Sequence, residues 1–150
     1  MPHQHNSVHE VLRFIPALAR MMAETTERAA ADVGLGLGMV SILEQLNEHG
    51  PQTAPELARG LLVSRQSAQQ IIDPMLTMGL LERIKNPMHA RSWVIQTTKK
   101  GIKVFNKIEK QRELMLSELI QDLNRDSVRT CAQVISQISM HYALRRQLKA

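Results

Sequence analysis

Six polar residues near the middle of the chain have side chains that could hydrogen-bond to the edges of nucleic-acid bases. They are Ser64, Arg65, Gln66, Ser67, Gln69 and Gln70. A glutamine amide can bond to adenine through both its oxygen and its nitrogen, and an arginine guanidinium can bind guanine or a phosphate. If this stretch is helical, Gln66, Gln69 and Gln70 share one face. Asp73 lies on the same face. A solvated helix can have the same composition, so the neighbouring elements decide what this face does.

A second group of polar and basic residues follows in a segment that we predict to be a hairpin. Its members are Arg83, Lys85, His89 and Arg91. Such side chains suit the phosphate backbone, or the minor groove beside a helix that occupies the major groove. Arg91 is the strongest candidate, because it would stand near the tip of the hairpin on the return strand.

The positive charge of the chain lies outside its N-terminal third. Residues 1–50 carry three Lys and Arg against six Asp and Glu, whereas residues 51–101 carry seven against three. Residues 102–150 again have an excess of four positive charges. A basic middle segment suits a polyanionic partner, because neutralising phosphates releases their bound counterions.

The elements that would position these side chains are indicated by helix caps and glycines. Ser7 to Glu10 has the pattern of a capping box, which predicts that a long helix begins at Ser7. Pro16 is expected to kink this helix, because a proline inside a helix removes a hydrogen bond. Glycines at 34, 36 and 38 interrupt the apolar pattern, and a second helix follows until Gly50.

The next segment has the pattern of two short helices. Thr53 and Glu56 form a second capping box, which predicts a helix that ends just before Gly60. Gly60 is expected to supply the turn. Ser64 then caps the next helix, which stops at Gly79. Two short helices joined by a glycine-containing turn indicate a helix-turn-helix.

The segment after Gly79 is predicted to be extended. Leu80–Lys85 and Ser92–Gln96 are rich in β-favouring residues, and the Asn86-Pro87 pair between them is typical of a turn. A hairpin directly after a helix-turn-helix would form a wing. Two further helices are predicted, one from Thr98 and one from about residue 125, each with apolar residues at helical spacing.

The order of these motifs resembles the MarR family from about residue 35 to residue 101. The matching motifs are TAPELA at 53–58, VSR at 63–65, GLLER at 79–83 and TKKG at 98–101. The resemblance implies a mainly α fold with a small β-hairpin wing, in which a winged helix-turn-helix is flanked by N- and C-terminal dimerisation helices. Within a single domain of residues 1–150, it implies a DNA-binding core at 35–101 and dimerisation helices at 7–32 and 102–148.

The resemblance also implies a function. We expect a transcriptional regulator, and specifically a repressor, that binds double-stranded DNA as a homodimer on a pseudo-palindromic operator. A small amphipathic or aromatic effector would release it. Two departures from the family pattern stand out. The wing lacks both acids of the usual Asp-Pro-x-Asp-x-Arg motif, and Pro74 lies inside the recognition helix.

Other kinds of function find little support in the sequence. There is no glycine-rich phosphate loop, nucleophile elbow or marked carboxylate pair, so we expect neither catalysis nor a cofactor. His3, His5 and His9 lack the spacing of a closed metal site, and no metal is expected. No apolar run is long enough to span a membrane, and nothing indicates an oxidising compartment, so we expect a cytoplasmic protein.

Two alternatives stay open. The acid-free wing and Pro74 would suit a winged-helix module that binds another protein and reads little DNA. Cys131, the single cysteine, would suit a thiol-based redox-responsive regulator. Since Cys131 falls on the apolar stripe of the last predicted helix, we expect it to be a buried packing residue rather than a sensor.

Overall fold

The computed structural model describes residues 2–86 and 92–147, which form helices and one antiparallel hairpin. The elements are α1 (Pro2–Ala31), α2 (Leu37–His49), α3 (Ala54–Gly60), α4 (Arg65–Thr77), β1 (Leu81–Lys85), β2 (Trp93–Thr97), α5 (Lys99–Asp122) and α6 (Arg125–Gln147). The mainly α fold with a small hairpin is confirmed. Within these ranges no helix is both long and apolar enough to cross a membrane.

The chain divides into two compact units, Met1–Arg112 and Glu113–Ala150. The first unit contains the hydrophobic core, to which α2, α3, α4 and the hairpin all contribute. On α4, the buried residues Ala68, Ile72 and Met75 recur at helical spacing. This burial fixes which side of α4 faces inward, so the opposite side faces solvent. The other core residues include Val40, Ile42, Leu43, Leu46, Leu57, Leu80, Ile95, Phe105 and Ile108.

Two of the predicted helix caps are present. At the start of α3, the Glu56 amide donates to Thr53 Oγ1 at 3.4 Å, and the Thr53 amide donates to Glu56 Oε2 at 2.8 Å. The Thr53 side-chain and backbone bonds hold the pKa of Glu56 below its ordinary value. At the start of α4, the Ser67 amide donates to Ser64 Oγ at 3.0 Å. These bonds satisfy amides that a helix leaves unpaired at its first turn.

Two expectations about helix ends are wrong. α1 begins at Pro2, so Ser7 is an interior residue of the helix and not its cap. A proline is favoured in the first turn because its missing N–H would be unpaired there in any case. Gly60 ends α3 and does not make the turn; the turn residue with a positive φ is Leu62, at 59°. Gly60 instead lets Gln45 approach, since a Cβ would lie 2.5 Å from Gln45 Nε2.

The hairpin and α5 meet at a close junction. β1 pairs with β2 in a register that places Leu81 opposite Thr97 and Lys85 opposite Trp93. The next residue, Thr98, accepts the Gly101 amide at 3.1 Å and so caps α5. A Cβ on Gly101 would lie 2.3 Å from the carbonyl oxygen of Leu80, so only glycine fits this contact without a shift.

Polar contacts also join the first part of α5 to earlier elements. Arg112 donates to Glu44 on α2 at 2.6 Å and to Glu109 at 2.6 Å, with 24% of its side chain exposed. Burial works against the guanidinium charge, but Glu44 and Glu109 outweigh it and raise the pKa of Arg112. Gln111 Nε2 donates to Asp32 Oδ2 at 3.0 Å. Breaking such a half-buried cluster by removing one partner is costly, because charge is left unpaired.

The second unit, residues 113–150, leaves many apolar side chains exposed. Cys131 is exposed, so the expectation of a buried packing residue is wrong for the chain as it stands. Helical periodicity correctly gave an apolar stripe but could not say what covers it. The other exposed apolar side chains of this unit include Leu114, Leu116, Leu123, Val128, Val134, Ile135, Met140, Tyr142 and Leu144.

We predict that Thr53→Ala lowers the free energy of unfolding by about 1 kcal/mol, because the two bonds of the Thr53 hydroxyl with the Glu56 amide and carboxylate are lost, while the backbone bond to Glu56 remains. The folded pKa of Glu56 is lowered, so its contribution is present above its ordinary pKa and disappears as the pH falls through the lowered value. Urea unfolding at neutral and at acid pH measures this. The loss should shrink at acid pH. Thr25→Ala, the same truncation inside α1, is the control; equal midpoints for both variants would contradict the prediction.

We predict that Gly101→Ala destabilises the fold by about 1–3 kcal/mol, because the new methyl group meets backbone that cannot move freely. Denaturant unfolding measures the change. Lys103→Ala, an exposed position in the same helix, should leave stability unchanged to within about 0.5 kcal/mol. Full stability of the Gly101 variant would show that the junction relaxes at no cost.

Candidate nucleic-acid interface

The candidate interface begins at the N-terminus of α4. Ser64 caps the helix, and its Oγ lies 2.8 Å from Ser67 Oγ. Both serines are therefore engaged in starting the helix, and their hydroxyls present hydrogen-bonding groups at its first turn. Serine is among the residues that best fill this position, because its oxygen replaces a missing carbonyl. Bonds among four consecutive residues, Ser64 to Ser67, therefore determine where α4 begins.

Three of the predicted site residues project from the solvent side of α4. Arg65, Gln66 and Gln70 are exposed. Within residues 2–86 and 92–147, no hydrogen bond joins any of these side chains to another group. Gln66 and Gln70 lie on the helix opposite its buried core residues, and Arg65 is the first residue of α4. Their donors and acceptors are therefore available to an external partner at no cost in internal bonds.

Gln69 and Arg83 are engaged with a residue that was not assigned to the site. Gln69 Nε2 donates to Asp73 Oδ1 at 2.6 Å, and the Arg83 guanidinium donates to the same oxygen at 3.2 Å. The side chains of Arg83 and Asp73 are 50% and 57% exposed. One carboxylate thus connects α4 with the first strand of the hairpin. A pair at this exposure is worth under about 1 kcal/mol.

The hairpin places a basic edge beside α4. Lys85 is exposed at the end of β1, opposite Trp93, which is 54% exposed. The Asn86 amide donates to the Ser92 carbonyl at 3.1 Å, which extends the ladder one step beyond the strands. His89 and Arg91 lie outside the described residues, as does Pro87 of the predicted turn. Their assignment to the interface therefore stays a prediction from the sequence.

Pro74 lies near the C-terminal end of α4, and the helix runs through it to Thr77. Because proline has no N–H, the carbonyl of Gln70 lacks its usual helical donor. The α4 residues of the predicted interface all precede Pro74. The first turn of α4, which would approach a base edge, is therefore not interrupted by the proline.

Asp73 and Lys100 carry contacts that the sequence analysis did not assign. A Gln and an Asp four residues apart on one helix form a recognised stabilising pair, so Gln69 and Asp73 could have been paired from spacing alone. Arg83 could not, because its contact depends on where the hairpin lies. Lys100 Nζ donates to the Met78 carbonyl at 2.7 Å, at the end of α4. No local pattern indicates that bond, which joins residues far apart in the sequence.

Comparison with known proteins gives matches to one family. Residues 34–92 match the sequence model of the MarR family. A curated relative, the HTH-type transcriptional regulator MhqR of Bacillus subtilis, is 25% identical over 108 residues, which are 72% of this chain and 74% of that protein.

Solved structures agree with this match over nearly the whole chain. A MarR family transcription regulator has a TM-score of 0.80 and 25% identity, with 95% of both chains covered. A MarR family protein from Bacillus stearothermophilus has a TM-score of 0.78 and 14% identity, over 93% of this chain and 97% of that chain. A mutant MarR from E. coli, solved in complex with operator DNA, has a TM-score of 0.70 and 18% identity, over 89% of this chain and 96% of that chain. The sequence match over residues 34–92, the shared fold and the arrangement of α3, α4 and the hairpin lead to one conclusion: the chain resembles the MarR family in its winged helix-turn-helix.

Proposed function

We propose that this chain is a sequence-specific, double-stranded DNA-binding repressor that acts as a homodimer on a pseudo-palindromic operator. In this proposal α4 is the recognition helix and lies in the major groove, which admits an α-helix. The hairpin reaches the adjacent minor groove or backbone. The DNA-binding core spans residues 35–101, and the helices within 7–32 and 102–148 form the dimer.

The observation that carries the proposal is the free polar end of α4. Arg65, Gln66 and Gln70 are exposed, and their side chains make no hydrogen bond within the described parts of the chain. Glutamine and arginine are the side chains best suited to adenine and guanine edges in the major groove. The helix that presents them is held by a buried inner face and a capped first turn. Residues that must read a base are expected to be placed in this way on a rigid element.

The hairpin and the net charge support the same function. Residues 51–101 carry a net charge of +4, and Lys85 is exposed at the edge of the hairpin. Positive charge beside a reading helix supplies affinity that does not depend on sequence. Arg91 is proposed to contact the minor groove or a phosphate from the return strand. No catalytic step is part of this proposal.

Exposed apolar side chains support dimerisation through the terminal helices. In the first unit, α1 exposes Phe14, Leu18 and Met21 by 65%, 53% and 63%. In the second unit, α6 exposes Val128, Ile135 and Tyr142 along its length. Contiguous apolar surface of this kind usually marks an interface. A two-fold dimer would place its two recognition helices in successive major grooves, about 34–36 Å apart.

One relative binds the kind of ligand that the proposal requires. The mutant E. coli MarR was solved with operator DNA, and this chain shares its fold at a TM-score of 0.70. The curated relative from Bacillus subtilis is a transcriptional regulator. These likenesses support operator binding by this chain.

A small cleft in the first unit supports release by an effector. It measures about 240 Å³ and is lined by Leu43, Leu46, Asn47, Pro51, Gln96, Thr97, Ile102 and Phe105. Polar and apolar groups line it in nearly equal measure, whereas ligand sites are commonly more apolar and larger, at about 300–1,000 Å³. The proposed effector is therefore a small amphipathic or aromatic molecule. It would relieve repression only if it binds better to the geometry that cannot hold DNA.

We predict that the purified protein selects a pseudo-palindromic sequence from genomic fragments, with one dimer per site. The affinity should fall steeply with salt, since each neutralised phosphate contributes a slope of about −0.9 in a plot of log affinity against log salt concentration. Sequencing of the selected fragments and titration at several salt concentrations measure both features. Weak binding to all fragments alike, abolished by salt, would contradict the proposal and favour the module that binds another protein.

We predict that Gln66→Ala and Gln70→Ala each cost about 1–3 kcal/mol at particular base pairs of the selected operator and relax the preference there. Titration against operators with single base-pair changes measures the loss position by position. Asn106→Ala, an exposed polar truncation on α5, should leave every position unchanged. Unaltered preferences in both glutamine variants would mean that α4 does not read bases.

We predict that Arg91→Ala weakens binding almost equally on all sequences and lowers the magnitude of the salt slope by about one phosphate's share, roughly 0.9. The same titrations measure this. Lys110→Ala, which removes one exposed positive charge from α5, is the matched control. A loss confined to particular bases would place Arg91 at a base edge instead of a phosphate.

The exposure of Cys131 keeps the thiol-based alternative testable. A redox-responsive regulator requires that oxidation of this thiol changes DNA affinity. Titration of the operator before and after peroxide treatment, with Cys131→Ser treated in parallel, decides between a thiol-based regulator and a repressor that does not respond to oxidation. Under our proposal both proteins keep their affinity.

A further inference from the structure

The carboxylate of Asp73 controls the orientation of a neighbouring amide. Gln69 Nε2 donates to Asp73 Oδ1 at 2.6 Å. An ionised carboxylate can only accept hydrogen bonds, whereas a glutamine amide has a donor end and an acceptor end. The bond therefore exists in only one of the two orientations of the Gln69 amide, with nitrogen toward Asp73. Rotating the amide by half a turn would place two acceptors against each other.

The bond to Asp73 leaves free the two groups of the Gln69 amide that a contact with adenine requires. A glutamine amide has two N–H hydrogens and one oxygen, so one hydrogen and Oε1 remain when the other hydrogen is donated to Asp73. The bidentate contact of glutamine with adenine uses one donor and one acceptor. An amide whose orientation is already set gives up less rotational freedom on binding than a free one. Gln66 and Gln70, which make no such bond, lack this constraint.

Arg83 offsets part of the negative charge of Asp73. Its guanidinium donates to the same Oδ1 at 3.2 Å, and both side chains are about half exposed. Without this pair, Asp73 would present a bare carboxylate on the face that approaches phosphates. The pair is weak enough, at under about 1 kcal/mol, for Arg83 to exchange it for a phosphate oxygen.

We propose that Asp73 is a positioning residue for base recognition, which acts through Gln69 by fixing the orientation of its amide and which lowers affinity for DNA in general. This inference rests on the proposed function. In this inference Asp73 does not contact a base itself, but it improves the discrimination between bases by Gln69. A residue with this role has opposite effects on specific and on non-specific binding, whereas a residue that only stabilises the fold does not.

The test compares the whole protein with four variants on the selected operator, on operators with single base-pair changes and on unrelated DNA. Asp73→Asn keeps the size of the side chain but allows either orientation of Gln69 and removes the charge. Asp73→Glu keeps the carboxylate and serves as the conservative rescue. Gln69→Ala, alone and combined with Asp73→Asn, locates the base pair that Gln69 reads. Thermal unfolding of each variant is measured in parallel.

We expect Asp73→Asn to lose part of the discrimination that Gln69→Ala loses, at the same base pair, by about 2- to 12-fold, which corresponds to the cost of ordering one free side chain. The double variant should lose no more than Gln69→Ala alone, and Asp73→Glu should retain most of the preference. Affinity of Asp73→Asn for unrelated DNA should rise, because one negative charge is gone. As a control, the effects of Asp73→Asn and Gln66→Ala should add.

Three results would overturn the inference while leaving the proposed function intact. They are an equal loss by Asp73→Asn on every DNA, full discrimination by Gln69→Ala, and a further loss in the double variant at the same base pair. A wild-type protein that selects no operator overturns both proposals. If Asp73→Asn is too unstable to titrate, the single variants Asp73→Glu and Gln69→Ala are compared instead. Loss of the base preference of Gln69 in Asp73→Glu, at normal stability, would contradict the positioning role of Asp73.

Discussion

The position of α4, the proposed recognition helix, depends on the short junction between its C-terminal end, the hairpin and the start of α5. Thr98 Oγ1 donates to the Gly79 carbonyl at 2.7 Å, and the Thr98 amide donates to the Leu80 carbonyl at 3.0 Å. Lys100 and Gly101 complete the junction, the first by bonding the Met78 carbonyl and the second by allowing backbone contact. The C-terminal end of α4 and the end of β2 are both bonded to the start of α5 at this junction. A shift of the start of α5 would therefore move α4 and the hairpin together.

The contacts on the inner side of α4 are stronger than those on its outer side. Its inner side buries Ala68, Ile72 and Met75, and full burial of a large apolar side chain is worth about 1.5–3 kcal/mol. In the described part of the chain, its outer side makes exposed hydrogen bonds and one half-exposed ion pair, each worth under about 1 kcal/mol or little more. The core therefore fixes the helix, and the outer contacts can be exchanged for those of a partner without loss of the fold.

The sequence predicts the caps of the helix-turn-helix well, because a cap depends on groups that are three residues apart. Thr53 and Ser64 both cap as expected. The turn is different. The glycine at position 60 leaves room for the side chain of Gln45 on α2, and the residue with a positive φ is Leu62. The exposure of Cys131 shows a second limit, since periodicity gives the apolar face of α6 but not the surface that would cover it. Of the candidate site, the face of α4 could be predicted, whereas the contact of its carboxylate with the hairpin could not.

The left-handed backbone at Leu62 has a consequence for protein engineering. A residue with a Cβ at a φ of 59° carries about 1–2 kcal/mol of steric strain. Its side chain is 65% exposed, so little packing compensates for that strain. Glycine at this position would relieve it, although its greater freedom in the unfolded chain would return roughly 0.5–1 kcal/mol of the gain. Asparagine tolerates the same backbone and keeps a side chain. The turn of the helix-turn-helix is thus a place where the protein can be made more thermostable without altering any residue proposed to contact DNA.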